Sequence, residues 1–165
     1  MADRLRIGVI GASTCSAKLN RMAYEVGRLI AESGAVLICG GMGGVMAAAC
    51  RGAVEAGGMT VGILPGSSAR DGNGNLTVPV VTGMGYARNA IVVQSSQVLI
   101  AIGGKYGTLS ELAFAAQFKI PVVGLSTWKI RAPVKHVKTP EEAARLALKM
   151  AKCHQLSGNN NEKQT

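Results

Sequence analysis

Apolar residues fall in short dense runs, at 5–10, 35–39, 60–64, 78–81, 98–102 and 121–125. Between the runs, apolar positions recur three and four apart. A short run bounded by turn residues predicts a strand buried on both faces, and the wider period predicts an amphipathic helix. Met22, Val26, Leu29 and Ile30 share one helix face, which Gly34 ends. Helices are also predicted over 45–56, closed by Gly57-Gly58, and over 86–95, 109–118 and 140–153. The last has Thr139 as N-cap, Pro140 in its first turn and Glu141-Glu142 beside it. Pro121 is acceptable as the first residue of a strand. Residues 67–75, centred on Asp71-Gly72-Asn73-Gly74, read as an exposed and mobile loop.

Six strands alternating with helices predict the α/β class: one doubly wound parallel sheet covered on both faces, with right-handed crossovers. One domain is expected over 1–156, and a disordered tail over 157–165, where Asn159-Asn160-Asn161 lies. In such sheets the ligand crevice opens beyond the carboxyl ends of the strands. Three loops rich in Gly or Ser leave strand ends there: Gly11-Ala12-Ser13-Thr14-Cys15-Ser16, Gly40-Gly41-Met42-Gly43-Gly44, and Gly103-Gly104-Lys105-Tyr106-Gly107. The last two should lie side by side. Each brings main-chain N–H groups and a helix N-terminus toward an anion. Thr108 and Glu111 have capping-box spacing and either start the helix after the third loop or face the crevice. Three glycines before them exceed what a plain helix start needs.

Composition narrows the ligand. Lys and Arg number 18 against 9 Asp and Glu, a formal charge of +9, which suits an anionic partner. Aromatics are only 4%, which argues against single-stranded nucleic acid bound by stacking. Lys129, Arg131, Lys135 and Lys138 cluster after the sixth strand and read as a solvated edge; a DNA-binding role is the lesser alternative. Cys15, Cys39, Cys50 and Cys153 contain no Cys-x-x-Cys pair, and His136 and His154 lack zinc spacing, so no protein-held metal is expected. Cys39 and Cys50 read as small buried residues, and Cys15 as a loop thiol. Free thiols, the absence of a signal peptide and the absence of a run long enough to span a bilayer predict a cytoplasmic protein without membrane contact. Aliphatic helices with few charges predict a homodimer or homotetramer. Met42, Met46, Met84 and Leu112 are assigned to the core or a subunit contact.

Four segments in order carry a resemblance: Gly40-Gly41-Met42-Gly43-Gly44-Val45-Met46, Gly62-Ile63-Leu64-Pro65-Gly66, Arg88-Asn89 and Gly107-Thr108-Leu109-Ser110-Glu111. Over residues 5 to 150 the chain resembles the Rossmann-like superfamily of the LOG phosphoribohydrolases and the molybdenum cofactor carrier proteins. The LOG-type pattern is Pro-Gly-Gly-x-Gly-Thr-x-x-Glu with an upstream Arg-Lys. This chain keeps Arg88, Gly104, Gly107, Thr108 and Glu111, but has Gly103 for Pro, Lys105 for the second Gly and Asn89 for Lys. Those departures, and Val78-Pro79-Val80-Val81-Thr82-Gly83-Met84-Gly85 before Arg88, resemble the carrier branch.

The resemblance implies a small anionic ligand, the molybdenum cofactor, a pyranopterin with a terminal phosphate. It would be held by Gly11, Ser13, Gly41, Gly43, Gly44, Arg88, Asn89, Gly103, Gly104, Lys105, Gly107, Thr108 and Glu111. Backbone amides of Gly43-Gly44 and Gly107-Thr108 would hold phosphate oxygens, with Lys105 as a point charge and Arg88 as a bidentate partner. The alternative is hydrolysis of a nucleoside 5′-monophosphate to free base and ribose 5-phosphate. Arg88 would then position the phosphate, and the charge of Glu111 would stabilise an oxocarbenium-like transition state.

Overall fold

In the computed structural model, which describes residues 4–161, seven strands form one parallel sheet. The chain runs β1 (Arg6–Gly11), α1 (Ala17–Glu32), β2 (Val36–Cys39), α2 (Gly44–Glu55), β3 (Thr60–Leu64), β4 (Val78–Val81), α3 (Asn89–Gln94), β5 (Val98–Ile102), α4 (Tyr106–Phe118), β6 (Val122–Leu125), β7 (Val134–Val137) and α5 (Pro140–Asn161). Single 3-10 turns lie at Ala69–Asp71 and Gly85–Arg88. The strand order is β4-β3-β2-β1-β5-β6-β7. The direction of winding therefore reverses between β1 and β5, where Ile7 pairs with Val98 and Gly11 with Ile102. That reversal places a crevice above the ends of those two strands.

Side chains alternate across the sheet and feed two separate cores. Ile7, Val9, Val98, Ile100 and Ile102 join α1, α2 and α5 on one face. Ile10, Leu99 and Ala101 join α3 and α4 on the other. The inner strands β2, β1, β5 and β6 are buried on both sides, which is why their sequences show apolar runs, whereas the edge strands β4 and β7 are exposed or half-buried. Helices α1 and α2 touch through their backbones. A Cβ on Gly27 would sit 1.9 Å from the Ala49 carbonyl oxygen, and one on Gly52 would sit 2.0 Å from that of Tyr24.

Four features differ from the sequence reading. A seventh strand, Val134–Val137, pairs with β6, so Lys135 belongs to the sheet and not to a segment beyond it. Helix α4 begins at Tyr106, and Lys105 is its N-cap, without a side-chain cap bond. The helix predicted over 86–95 is a 3-10 turn followed by the short α3. The loop at 67–75 does not stand free. Asn73 donates through its backbone N–H to Gly41 O (2.8 Å) and through Nδ2 to Gly41 O and Met42 O (both 3.1 Å). It thereby pins the second glycine turn.

Helix α5 has the predicted cap, with Glu142 N–H donating to Thr139 Oγ1 at 3.2 Å, and runs past the expected end at 153. Residues 162–165 of the expected tail lie outside the described residues. Among the described residues, no helix is long and apolar enough to cross a membrane.

Candidate functional site

The loops after β1, β2, β3, β4 and β5 enclose a cavity of about 580 Å³. Of the sequence-predicted residues it gathers Gly11, Ser13, Arg88, Asn89, Lys105, Gly107, Thr108 and Glu111 along its wall. Gly41, Gly43, Gly44, Gly103 and Gly104 are not part of that wall. Met42 and Met46 line it as well as packing with the core, and Leu112 is fully in the core.

The two glycine turns have different duties. Gly44 has φ +57, and a Cβ there would lie 2.3 Å from the Ala12 carbonyl oxygen. The next amide, Val45 N–H, donates to Ala12 O at 3.1 Å. The start of α2 is therefore held against the β1 loop, and Gly43 and Gly44 are not among the lining residues. The turn after β5 is open. Lys105 Nζ reaches across to Thr14 Oγ1 at 3.2 Å. The first bond of α4 runs from Leu109 N–H to Lys105 O at 3.0 Å, so the amides of Tyr106, Gly107 and Thr108 precede the helix ladder and face its positive end.

At the base lie Arg88 and Glu111, both buried. Arg88 is 7% exposed and Glu111 5%. Arg88 Nη2 donates to Gly40 O at 3.1 Å, and Nη1 donates to Asn89 Oδ1. Asn89 Nδ2 donates in turn to Ser110 Oγ at 2.9 Å, which fixes its amide beneath α4. Arg88 Nη1 and Glu111 Oε1 stand 4.0 Å apart, too far for a hydrogen bond. Burial pushes the Glu111 carboxyl up to about 8, with Arg88 only partly opposing it. Burial also pulls Arg88 below its ordinary value, yet a guanidinium keeps its proton in proteins. At neutral pH the floor therefore holds a cation beside a neutral acid.

Thr108 and Glu111 do not form the capping box that their spacing permits. Thr108 lies inside the first turn of α4, and Glu111 turns inward. Arg88 Nε and Thr108 Oγ1 are buried without a hydrogen-bond partner. Unpaired buried polar atoms are costly, and both belong to residues that line the cavity.

Sequence reasoning missed Pro65, Tyr86 and Tyr106 as lining residues. Tyr106 sat within the motif as its variable position, and Tyr86 shares the short turn that carries Arg88. Below the second glycine turn, Cys39 and Cys50 are buried with their sulfurs 3.4 Å apart, and Gly41 N–H donates to Cys39 Sγ at 3.3 Å. All four cysteines are free thiols. Among the described residues, no three His, Cys, Asp or Glu side chains gather as a metal-binding group.

A parallel doubly wound sheet with a cavity at its switch point defines a Rossmann-like α/β protein. The chain belongs to the SLOG cluster4 family (LDcluster4), which it matches over residues 4–156. It is 46% identical over 139 residues to an uncharacterized protein of Archaeoglobus fulgidus, covering 84% of this chain and 91% of that one. Among solved structures, it is similar to the molybdenum cofactor binding protein of Rippkaea orientalis. That match has 35% identity and TM-score 0.85, over 91% of this chain and 99% of the other. The Moco carrier protein of Chlamydomonas reinhardtii is 36% identical with TM-score 0.82, over 92% and 99%.

Proposed function

We propose that the cavity carries the molybdenum cofactor as cargo, with its terminal phosphate seated on Arg88, Thr108 and the first-turn amides of α4. The observation that carries this reading is the buried Arg88 guanidinium, whose Nε has no hydrogen-bond partner, together with the partnerless Thr108 Oγ1. A phosphate monoester offers enough acceptor oxygens to satisfy both atoms and the free amides. Lys105 at the rim adds a second positive charge. The similarity to proteins described as binding or carrying this cofactor favours it over other phosphate-bearing molecules. The cofactor brings its own metal and sulfur ligands, so the chain needs no metal ligands for this task.

The phosphoribohydrolase alternative fits the floor less well. It asks Glu111 to be an anion facing a cationic transition state, whereas burial keeps the carboxyl protonated up to about pH 8. Purification from a host that makes the cofactor tests the reading. Molybdenum by mass spectrometry and oxidised-pterin fluorescence should co-elute with the protein, and Arg88→Ala should lower both by about tenfold or more. Metal-free, pterin-free protein that releases adenine from adenosine 5′-monophosphate would replace this reading with hydrolysis.

A second copy of the chain is the proposed cover for the β4 edge. Val78, Val80 and Val81 are 41%, 38% and 44% exposed there, beside Met84 at 49%. Such an apolar edge is a template for association. A dimer or tetramer is expected by light scattering at micromolar concentration, and a monomer would refute it. The four free thiols suit a reducing, cytoplasmic setting.

A further inference from the structure

The chain is poor in aromatics, with one Trp, three Tyr and two Phe. Two of the tyrosines nevertheless stand on the wall of one cavity with their rings in solvent. Tyr86 is 87% exposed and Tyr106 is 82% exposed. They reach it from different elements. Tyr86 sits in the 3-10 turn that ends at Arg88, and Tyr106 is the first residue of α4. Neither is loosely placed. Gly85 N–H donates to Pro65 O at 3.0 Å and Gly83 N–H to Gly66 O at 2.9 Å, which ties the Tyr86 turn to the end of β3. The Tyr106 ring packs beside the only tryptophan, Trp128, with centroids 6.3 Å apart and planes at 35°.

A ring this large normally buries its faces against something. Here the phosphate-holding groups are deep, at Arg88 and Thr108, while the tyrosines lie at the rim. A ligand with a phosphate at one end and a flat heterocycle at the other would meet both. We propose that Tyr86 and Tyr106 form a stacking subsite for a planar heteroaromatic ring, separate from the phosphate seat. The subsite rests on the cargo reading for its orientation, with phosphate in and ring out. It selects ring-bearing phosphates over sugar phosphates and leaves the choice among flat heterocycles loose, because stacking reads a face and not an edge.

The test is equilibrium dialysis of the full chain, stripped of cargo, against three probes. Pterin has a ring without phosphate, ribose 5-phosphate has phosphate without such a ring, and neopterin monophosphate has both. Neopterin monophosphate should bind about tenfold tighter than ribose 5-phosphate. Tyr86→Ala and Tyr106→Ala should each weaken pterin and neopterin monophosphate by about fivefold to tenfold, and leave ribose 5-phosphate unchanged. Tyr86→Phe and Tyr106→Phe should restore ring binding, because the face and not the hydroxyl is used.

Unchanged binding in both alanine variants overturns the subsite, as does an equal loss for all three probes. A change of oligomeric state in Tyr86→Ala without loss of ring binding also overturns it, and assigns that residue to a contact between copies. Tyrosine-dependent pterin binding without ribose 5-phosphate binding upholds the subsite and overturns the phosphate seat. Failure of every probe overturns both.

Discussion

The turns after β2 and after β5 look alike in sequence, each glycine-rich and each leading into a helix. In the fold the first is closed, whereas the second is tied down at Gly103-Gly104 and open to the cavity from Lys105 onward. The turn at Gly40–Gly44 is filled by the β1 loop from one side and gripped by Asn73 from the other. The turn at Gly103–Gly107 keeps its first helical amides clear, and Lys105 and Gly107 line the cavity. A glycine-rich helix start is thus a requirement for close approach. Whether the approaching atom belongs to a ligand or to the protein itself is decided by the neighbouring loop.

The contrast can be broken from either side, and the largest effect is expected at the closed turn. Gly44→Ala forces a side chain into a positive φ and onto the Ala12 carbonyl. It should cost about 1–3 kcal/mol, and lower Tm by roughly 3–10 °C. A thermal melt equal to wild type would show that the turn is not packed as described.

The floor of the open turn has a pH signature. Glu111 titrates near 4.5 when unfolded and near 8 when folded. Between those values the unfolded chain binds fewer protons, so this group's stabilising share is complete below about pH 4.5 and is lost as pH rises to about 8. Glu111→Gln should remove that slope, so that it gains several degrees on wild type at pH 8 and little at pH 4.5. Parallel melting curves of the two proteins across this range would contradict a buried neutral acid.

The smallest effect is expected at the rim. Lys105→Gly should leave Tm within about 2 °C of wild type and weaken phosphate binding about twofold to fivefold, less so in high salt. Collapse of the fold would mean that the open turn is as structural as the closed one.

Much of the architecture was legible because burial on both sheet faces writes itself as apolar runs, as in β1, β2, β3, β5 and β6, while β4, an exposed edge, was legible from its three valines. Strand β7 was not, because an edge strand faces water and Val134-Lys135-His136-Val137 carries no such run. The site was legible where chemistry and position coincide, at Arg88, Asn89 and the segment from Lys105 to Glu111. The inward turn of Glu111 was open in the sequence, since a Thr-x-x-Glu spacing serves a cap equally well. The choice was made by α4 starting at Tyr106, three residues earlier than the pattern suggests. The closure of the first glycine turn depends on Asn73, distant in sequence, and no local pattern reports such a contact.

The glycine contacts between α1 and α2 carry a mechanical consequence. Where two backbones meet with no side chain between them, spacing is set by the van der Waals radii of main-chain atoms, and side-chain repacking has little room to tune it. The loops at the heads of these two helices are therefore expected to move together, as a single stiff jaw. Any adjustment of the mouth to its guest falls to the opposite jaw, built from the short turn before α3 and the head of α4.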